Sequence, residues 1–156
     1  LLAFTERESA VRTYKVERIL QLRFLDEAYG PDPEFSIDRY FGNAWLMIRG
    51  DQLHHVKIRF LKKVAGNVDE ICWHKTQRTS YEGDGSLIFE VEVDGLNEIS
   101  WWILGYGDQA QVLEPPELRD LIAEHARRML SCYDSRSESE IREEVGAHAR
   151  SSTASK

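Results

Sequence analysis

Arg12, Tyr14 and Arg18 are the residues whose types and spacing promise the most chemistry in this 156-residue chain. Positions two apart on a strand share a face. An arginine and a tyrosine so placed can clamp a phosphate and stack a base, and Arg18 repeats the charge further along, so an anionic, nucleotide-like ligand is one reading. The other is a surface strand with ordinary snorkelling arginines, and spacing alone does not separate the two. Lys57 and Arg59 offer the same pair of readings on a later strand.

The remaining polar groupings lead away from catalysis. Adjacent side chains on a strand point to opposite faces, so His54 and His55 do not chelate one ion without a bulge. Trp73, His74 and Gln77 read either as a polar site beside an aromatic wall or as a helix end whose Trp packs and whose His meets water, and the second is preferred. Gly105-Tyr106-Gly107 follows a predicted helix instead of opening one, which makes it a helix stop and not a phosphate cradle. On a helix Trp101 and Trp102 diverge by about 100°, so one belongs to the core and the other to its flank. Glu90, Glu92 and Asp94 alternate along one strand, the pattern of a solvated face. With no nucleophile elbow, no recognisable carboxylate pair and no phosphate loop, the expectation is a protein that is not an enzyme and needs no cofactor or metal.

The elements that must hold these residues follow from periodicity. Leu1 to Phe4, a polar turn, then Val11 to Leu25 predict a meander of two or three strands. Gly30-Pro31-Asp32-Pro33 interrupts regular structure, because proline fixes φ and offers no amide donor. Ser36 to Phe41 predicts one capped helical turn, followed by the apolar run Ala44 to Ile48. His55 to Phe60 alternates with Val56, Ile58 and Phe60 on one face and Lys57 and Arg59 on the other. A helix from about Lys63 to Trp73, a strand over Thr76 to Tyr81, a turn at Glu82 to Gly85 and a strand over Ser86 to Val93 come next. Asn97 is expected to cap a second helix, Ala110 to Leu113 to form a last strand, and Pro115-Pro116-Glu117 to start a closing helix ending near Tyr133. Strand, helix, strand, strand, helix, strand is the split ferredoxin-like order. The expected fold class is α+β.

Composition sets outer bounds. A hydrophobic content of 42% with four Trp, six Tyr and six Phe can fill a core, and no apolar run approaches the length of a membrane span. The net charge of −7 argues against an overall electrostatic grip on nucleic acid. The charge is uneven, however: Asp51 to Thr79 carries six Lys or Arg against three acids, while Tyr81 to Asp134 carries three Arg against twelve acids. Cys72 and Cys132 stand sixty residues apart without a CxxC, so neither a zinc site nor a disulfide framework is indicated, and a reducing cytoplasm is the expected compartment. A chain that opens inside an apolar run without Met reads as a fragment whose amino-terminal part is missing. Ser135 to Lys156, with six Ser and four charges of each sign, is expected to be a mobile tail.

Leu1-Leu-Ala-Phe4 followed by Val11-Arg-Thr-Tyr-Lys-Val-Glu-Arg-Ile19 resembles the closing strands of the WYL domain. Trp73-His74 with Gln77, Asp84-Gly-Ser-Leu87, Trp102-Ile-Leu-Gly-Tyr-Gly107 and Val112-Leu-Glu-Pro-Pro-Glu-Leu118 resemble the C-terminal extension that follows WYL domains in bacterial helix-turn-helix transcriptional regulators. The resemblance covers roughly Leu1 to Tyr133. It implies the last strands of a small Sm-like barrel over residues 1–30, a linker and docking segment over 31–50, a ferredoxin-like extension over 51–134 and a tail over 135–156. It also implies a ligand-sensing region responsive to nucleic-acid effectors such as single-stranded DNA, with Arg12, Tyr14 and Arg18 on the matching motif; Lys57 and Arg59, read from strand spacing, are expected to support it. Duplex DNA would be met by an absent amino-terminal domain. A homodimer is the expected assembly, and an oligomerisation module without its own ligand is the alternative.

Overall fold

The computed structural model describes residues 1–134, apart from 27, 29 and 31. The tail predicted over 135–156 lies outside the described residues. The chain divides into two compact units, Leu1–Phe35 and the part from Ser36 onward.

In the first unit β1 (Leu2–Thr5) and β2 (Ala10–Thr13) form an antiparallel hairpin, with Leu2 opposite Thr13 and Thr5 opposite Ala10. Ser9, at φ 48°, takes the left-handed conformation in the turn between them. The predicted continuation of this meander through Leu25 is not formed. After a 3₁₀ turn at Val16–Arg18 the described residues pair with no strand, and Leu22 and Phe24 stand 77% and 98% exposed. Alternation by itself makes no strand, because backbone N–H and C=O groups need a neighbouring ladder.

The second unit opens with α1 (Ile37–Phe41), capped by Ser36 Oγ, which accepts from Arg39 N at 3.3 Å. It continues as β3 (Leu53–Phe60), α2 (Lys62–Asp69), β4 (Arg78–Tyr81), β5 (Leu87–Asp94), α3 (Asn97–Leu104), β6 (Ala110–Glu114) and α4 (Pro116–Tyr133). The four strands lie in the order β4-β5-β3-β6, each antiparallel to its neighbour. This is the ferredoxin-like arrangement with a closing helix, an α+β fold. Val56, Ile58 and Phe60 of β3, Phe89, Val91 and Val93 of β5 and Val112 of β6 share one core with Ala65 and Val68 of α2, Ile99 and Ile103 of α3 and Leu118 of α4. All three helices therefore cover the same face of the sheet. Each of these apolar side chains sits at alternate positions on its strand, so period-two patterning alone assigns it to the covered face.

Three element boundaries differ from expectation. The helix α2 ends at Asp69, and Trp73 reaches back to it by donating Nε1–H to Val68 O at 3.0 Å. Strand β4 starts at Arg78 because Thr76 pairs with β5 through its side chain, its Oγ1 donating to Glu92 O and accepting from Glu92 N, both at 3.0 Å. Asn97 is the first residue of α3 and caps nothing.

Candidate functional site

Arg12 lies on β2, Tyr14 just beyond its end and Arg18 at the close of the 3₁₀ turn, so the strand-face relation predicted for all three does not extend to Arg18. All three are exposed. Arg12 is ion-paired with Glu8 across the hairpin turn, whereas among the described residues no carboxylate holds Arg18. Tyr14 joins the hairpin by its backbone, its N–H donating to Leu1 O at 2.8 Å, and leaves its ring to solvent at 43% exposure.

Lys57 and Arg59 point away from the core on β3, as predicted, but not as free cations. Lys57 Nζ is 3.2 Å from Glu90 Oε1 on the neighbouring strand. Arg59 reaches into the β4–β5 turn, with Nε 2.7 Å from Glu82 Oε2 and Nη2 2.5 Å from Asp84 Oδ2. Its Nε also donates to Ser86 Oγ at 3.0 Å. Hydrogen bonds from the Ser86 hydroxyl and N–H, with the Arg59 charge adding a smaller share, hold the Asp84 carboxyl below its usual range. The expected basic face is a compensated one.

The compensation follows a pattern across the sheet. Arg78 on β4 is opposite Glu90 on β5, Glu90 is opposite Lys57 on β3, and Lys57 is opposite Glu114 on β6. One row thus alternates positive, negative, positive, negative across four strands. Glu114 enters it because the β3–β6 register shifts between Lys57 and Ile58, leaving Leu113 as the extra residue. Beside the row lies a groove of ≈ 270 Å³ lined by His55, the segment Lys75–Arg78, Glu90, Val91 and Glu92. Lys75 Nζ donates to Gly42 O at 2.6 Å, and Gln77 Oε1 accepts from Trp73 N at 2.6 Å and His74 N at 3.0 Å. Of the groove's charged groups, the Arg78 guanidinium and the Glu92 carboxylate have no partner among the described residues.

His74 does not meet water. It is 8% exposed, stacks on Trp45 with ring centroids 5.9 Å apart, and has both ring nitrogens engaged. Nδ1 accepts from Thr76 N at 3.2 Å, so the proton belongs on Nε2, which faces Ala44 O at 3.2 Å. Desolvation is the largest influence on the ring and lowers its pKa, opposed by the Ala44 carbonyl. His54 lies on β3 beside His55, whose Nδ1 is 3.7 Å from Glu114 Oε2. Among the described residues no group of three His, Cys, Asp or Glu could hold a metal ion.

Two carboxylates organise the segment before β3, Asp94, which was expected to face solvent, and Glu98, which the sequence did not single out. Asp94, expected on a solvated face, accepts from Asn43 N at 2.8 Å and pairs with Arg49 at 3.2 Å, and its side chain is only 13% exposed. Glu98 accepts the backbone N–H groups of Leu46, Met47 and Ile48 at 2.9 to 3.2 Å. Between these anchors Trp45 is buried against Trp102, with ring centroids 4.7 Å apart. Of the pair expected to split between core and flank, Trp102 is the one packed against the core, and Trp101 is the flank at 57% exposure.

With this geometry in place, the comparisons with known proteins can be set against it. The family model described as the WCX domain matches residues 52–130, the stretch that contains the whole ferredoxin-like sheet. The chain belongs to the WCX domain family. WCX domains are found in WYL-domain regulators, so the WCX unit is a WYL-associated C-terminal region. Among solved structures, proteasome accessory factor B/C (PafBC) of Arthrobacter aurescens is similar at 23% identity and a TM-score of 0.45 over 86% of this chain. The match takes up 20% of that chain, so the present sequence spans about a fifth of its length. Among curated proteins none matches. No helix among the described residues is long and apolar enough to cross a membrane.

Proposed function

We propose that this chain is the ligand-sensing regulatory region of a bacterial helix-turn-helix transcriptional regulator working in the cytoplasm, and that its effector is an anionic, nucleic-acid-like molecule such as single-stranded DNA. The observation that carries the reading is a WCX domain preceded in the chain by a hairpin and 3₁₀ turn along which Arg12, Tyr14 and Arg18 are all exposed. Arg18 supplies a charge that no carboxylate among the described residues compensates, Tyr14 a ring for stacking, and Arg12 a guanidinium that an effector phosphate can take over from Glu8. Lys57 and Arg59 already have carboxylate partners, so an anion gains less from them. Duplex DNA is left to a separate helix-turn-helix domain.

Titration of a fluorescently labelled single-stranded oligonucleotide, followed by anisotropy at two salt concentrations, tests the proposal. The expected result is saturable, salt-sensitive binding that is lost when Arg12 and Arg18 are both replaced by Ala. Binding that survives the double replacement overturns the assignment.

A second reading, homodimerisation through the WCX unit, is favoured by two surfaces. The helices α2, α3 and α4 all pack on the face of the sheet opposite Lys57 and Glu90, and the last turns of α4 expose Met129, Leu130 and Tyr133 at 53%, 70% and 85%.

A further inference from the structure

The groove beside the alternating row has a chemistry that the hairpin does not share. Its charged lining is balanced, with Lys75 and Arg78 against Glu90 and Glu92. A polyanion is drawn by an excess of cations, which this lining does not have. A bare metal ion does not suit it either, because among the described residues no three ligating groups converge. A small molecule that carries both charges does. At ≈ 270 Å³ the groove falls just below the usual range of ligand pockets, which begins at about 300 Å³, so it has room for a metabolite and not for a polymer.

Which groups are left to meet such a ligand is decided by the wall. Thr76 Oγ1 is committed to β5, donating to Glu92 O and accepting from Glu92 N. Gln77 uses both ends of its amide inside the chain: Oε1 accepts from Trp73 N and His74 N, and Nε2 donates to Ile71 O at 3.0 Å. Lys75 Nζ is held by Gly42 O, and Glu90 is held by Lys57. These bonds fix the wall before anything binds, which lowers the ordering cost of binding. Among the described residues the Arg78 guanidinium and the Glu92 carboxylate take no part in them. Arg78 stands opposite Glu90 on the neighbouring strand, and Glu92 is two residues further along β5, so their backbone positions are roughly 8 Å apart. An ammonium and a carboxylate borne by one carbon, about 3 Å apart, with a charge-assisted hydrogen bond of about 2.8 Å at each end, cover that distance.

We propose that this groove is a binding site for a small zwitterion of the α-amino-acid class. The ligand's carboxylate lies on Arg78, whose planar fork takes two oxygens, and its ammonium lies on Glu92. The site stands on residues other than Arg12, Tyr14 and Arg18, so it is independent of the nucleic-acid reading.

The test follows the backbone amide NMR signals of the isotope-labelled full chain while glycine, L-serine or L-glutamine is added up to about 10 mM, ten times a Kd of about 1 mM. Acetate and ethylamine, which each carry one of the two charges, are titrated in parallel. The expected result is saturable shifts confined to the signals of His55, Lys75 to Arg78 and Glu90 to Glu92, with at least one amino acid binding roughly tenfold more tightly than either single-charge probe. Arg78→Gln and Glu92→Gln should each weaken that binding roughly tenfold, since each removes one charged contact. The same spectra report whether a variant is folded. Should R78Q disturb β4, Arg78→Lys keeps the charge without the two-pronged geometry and is still expected to weaken binding. No saturable shift with any of the three amino acids overturns the proposal. So does acetate or ethylamine binding as tightly as they do, which would make the groove a site for a simple ion, and so does binding that folded R78Q and E92Q both retain. None of these outcomes touches the hairpin reading, whose test uses a different probe and different residues.

Discussion

Glu98 on the first turn of α3 holds Met47 by its backbone, the Met47 N–H lying 3.2 Å from one carboxylate oxygen and 3.0 Å from the other. The same carboxylate accepts from Leu46 and Ile48, so three consecutive amides of an irregular segment converge on one side chain that is 8% exposed. Backbone donors outside helix and sheet must find an acceptor somewhere, and a charged one binds them most strongly. The arrangement fixes where Trp45, the neighbouring residue, enters the core.

Glu98→Ala should therefore cost on the order of 3 kcal/mol, because it strands several donors at once, and Glu98→Gln should cost less because one acceptor oxygen remains. Urea unfolding checks this, with the midpoint moving and the slope unchanged. A loss below about 0.5 kcal/mol would mean that water replaces the carboxylate without penalty.

His74 makes stability pH-dependent in a defined direction. Its pKa in the fold is lowered, by desolvation first, from the ordinary histidine value of about 6.5, so below that pH the unfolded chain binds a proton that the folded one resists. The unfolded state then holds more protons, and stability rises with pH. The contribution is complete above the unfolded pKa and is lost as pH falls from there toward the folded value. His74→Gln should flatten the change in unfolding free energy between about pH 7 and pH 5 relative to wild type. An unchanged slope would show that protonated His74 is accommodated.

Trp102 packs against five rings, those of Trp45, Phe60, Trp73, Phe89 and Tyr106, all with centroids 4.7 to 5.3 Å away. Removing it should cost about 3–5 kcal/mol, as for large-to-small changes in a core. Trp101→Ala, next to it but 57% exposed, should change stability by no more than about 0.5 kcal/mol. Thermal unfolding of the two variants distinguishes core from flank directly, and equal losses would contradict the assignment.

At the β4–β5 turn, Ser86→Ala should raise the titration point of Asp84 more than Arg59→Ala does. The Ser86 hydrogen bonds are the leading reason that this carboxyl is held low, ahead of the Arg59 charge. Carboxyl carbon shifts followed by NMR through the acid range report it. The reverse ranking would mean that the ion pair governs the turn.

What the sequence determined by itself was the second unit's element order, its covered face and that Trp101 and Trp102 split between core and flank, since these follow from local periodicity and turn chemistry. Val56, Ile58 and Phe60 are buried because they alternate with Lys57 and Arg59, and no tertiary information is needed to see it. The tertiary structure decided which charges remain free. Lys57 and Arg59 look like a basic patch until β5 and its turn bring Glu90, Glu82 and Asp84 beside them, and the same pairing across strands makes the alternating row. It also decided that Glu98 and Asp94 hold the backbone of residues about fifty positions earlier and that His74 lies beneath Trp45. Periodicity reports which face a side chain takes, but the partner on that face comes from strand register and chain return, which are long-range relations absent from any local window.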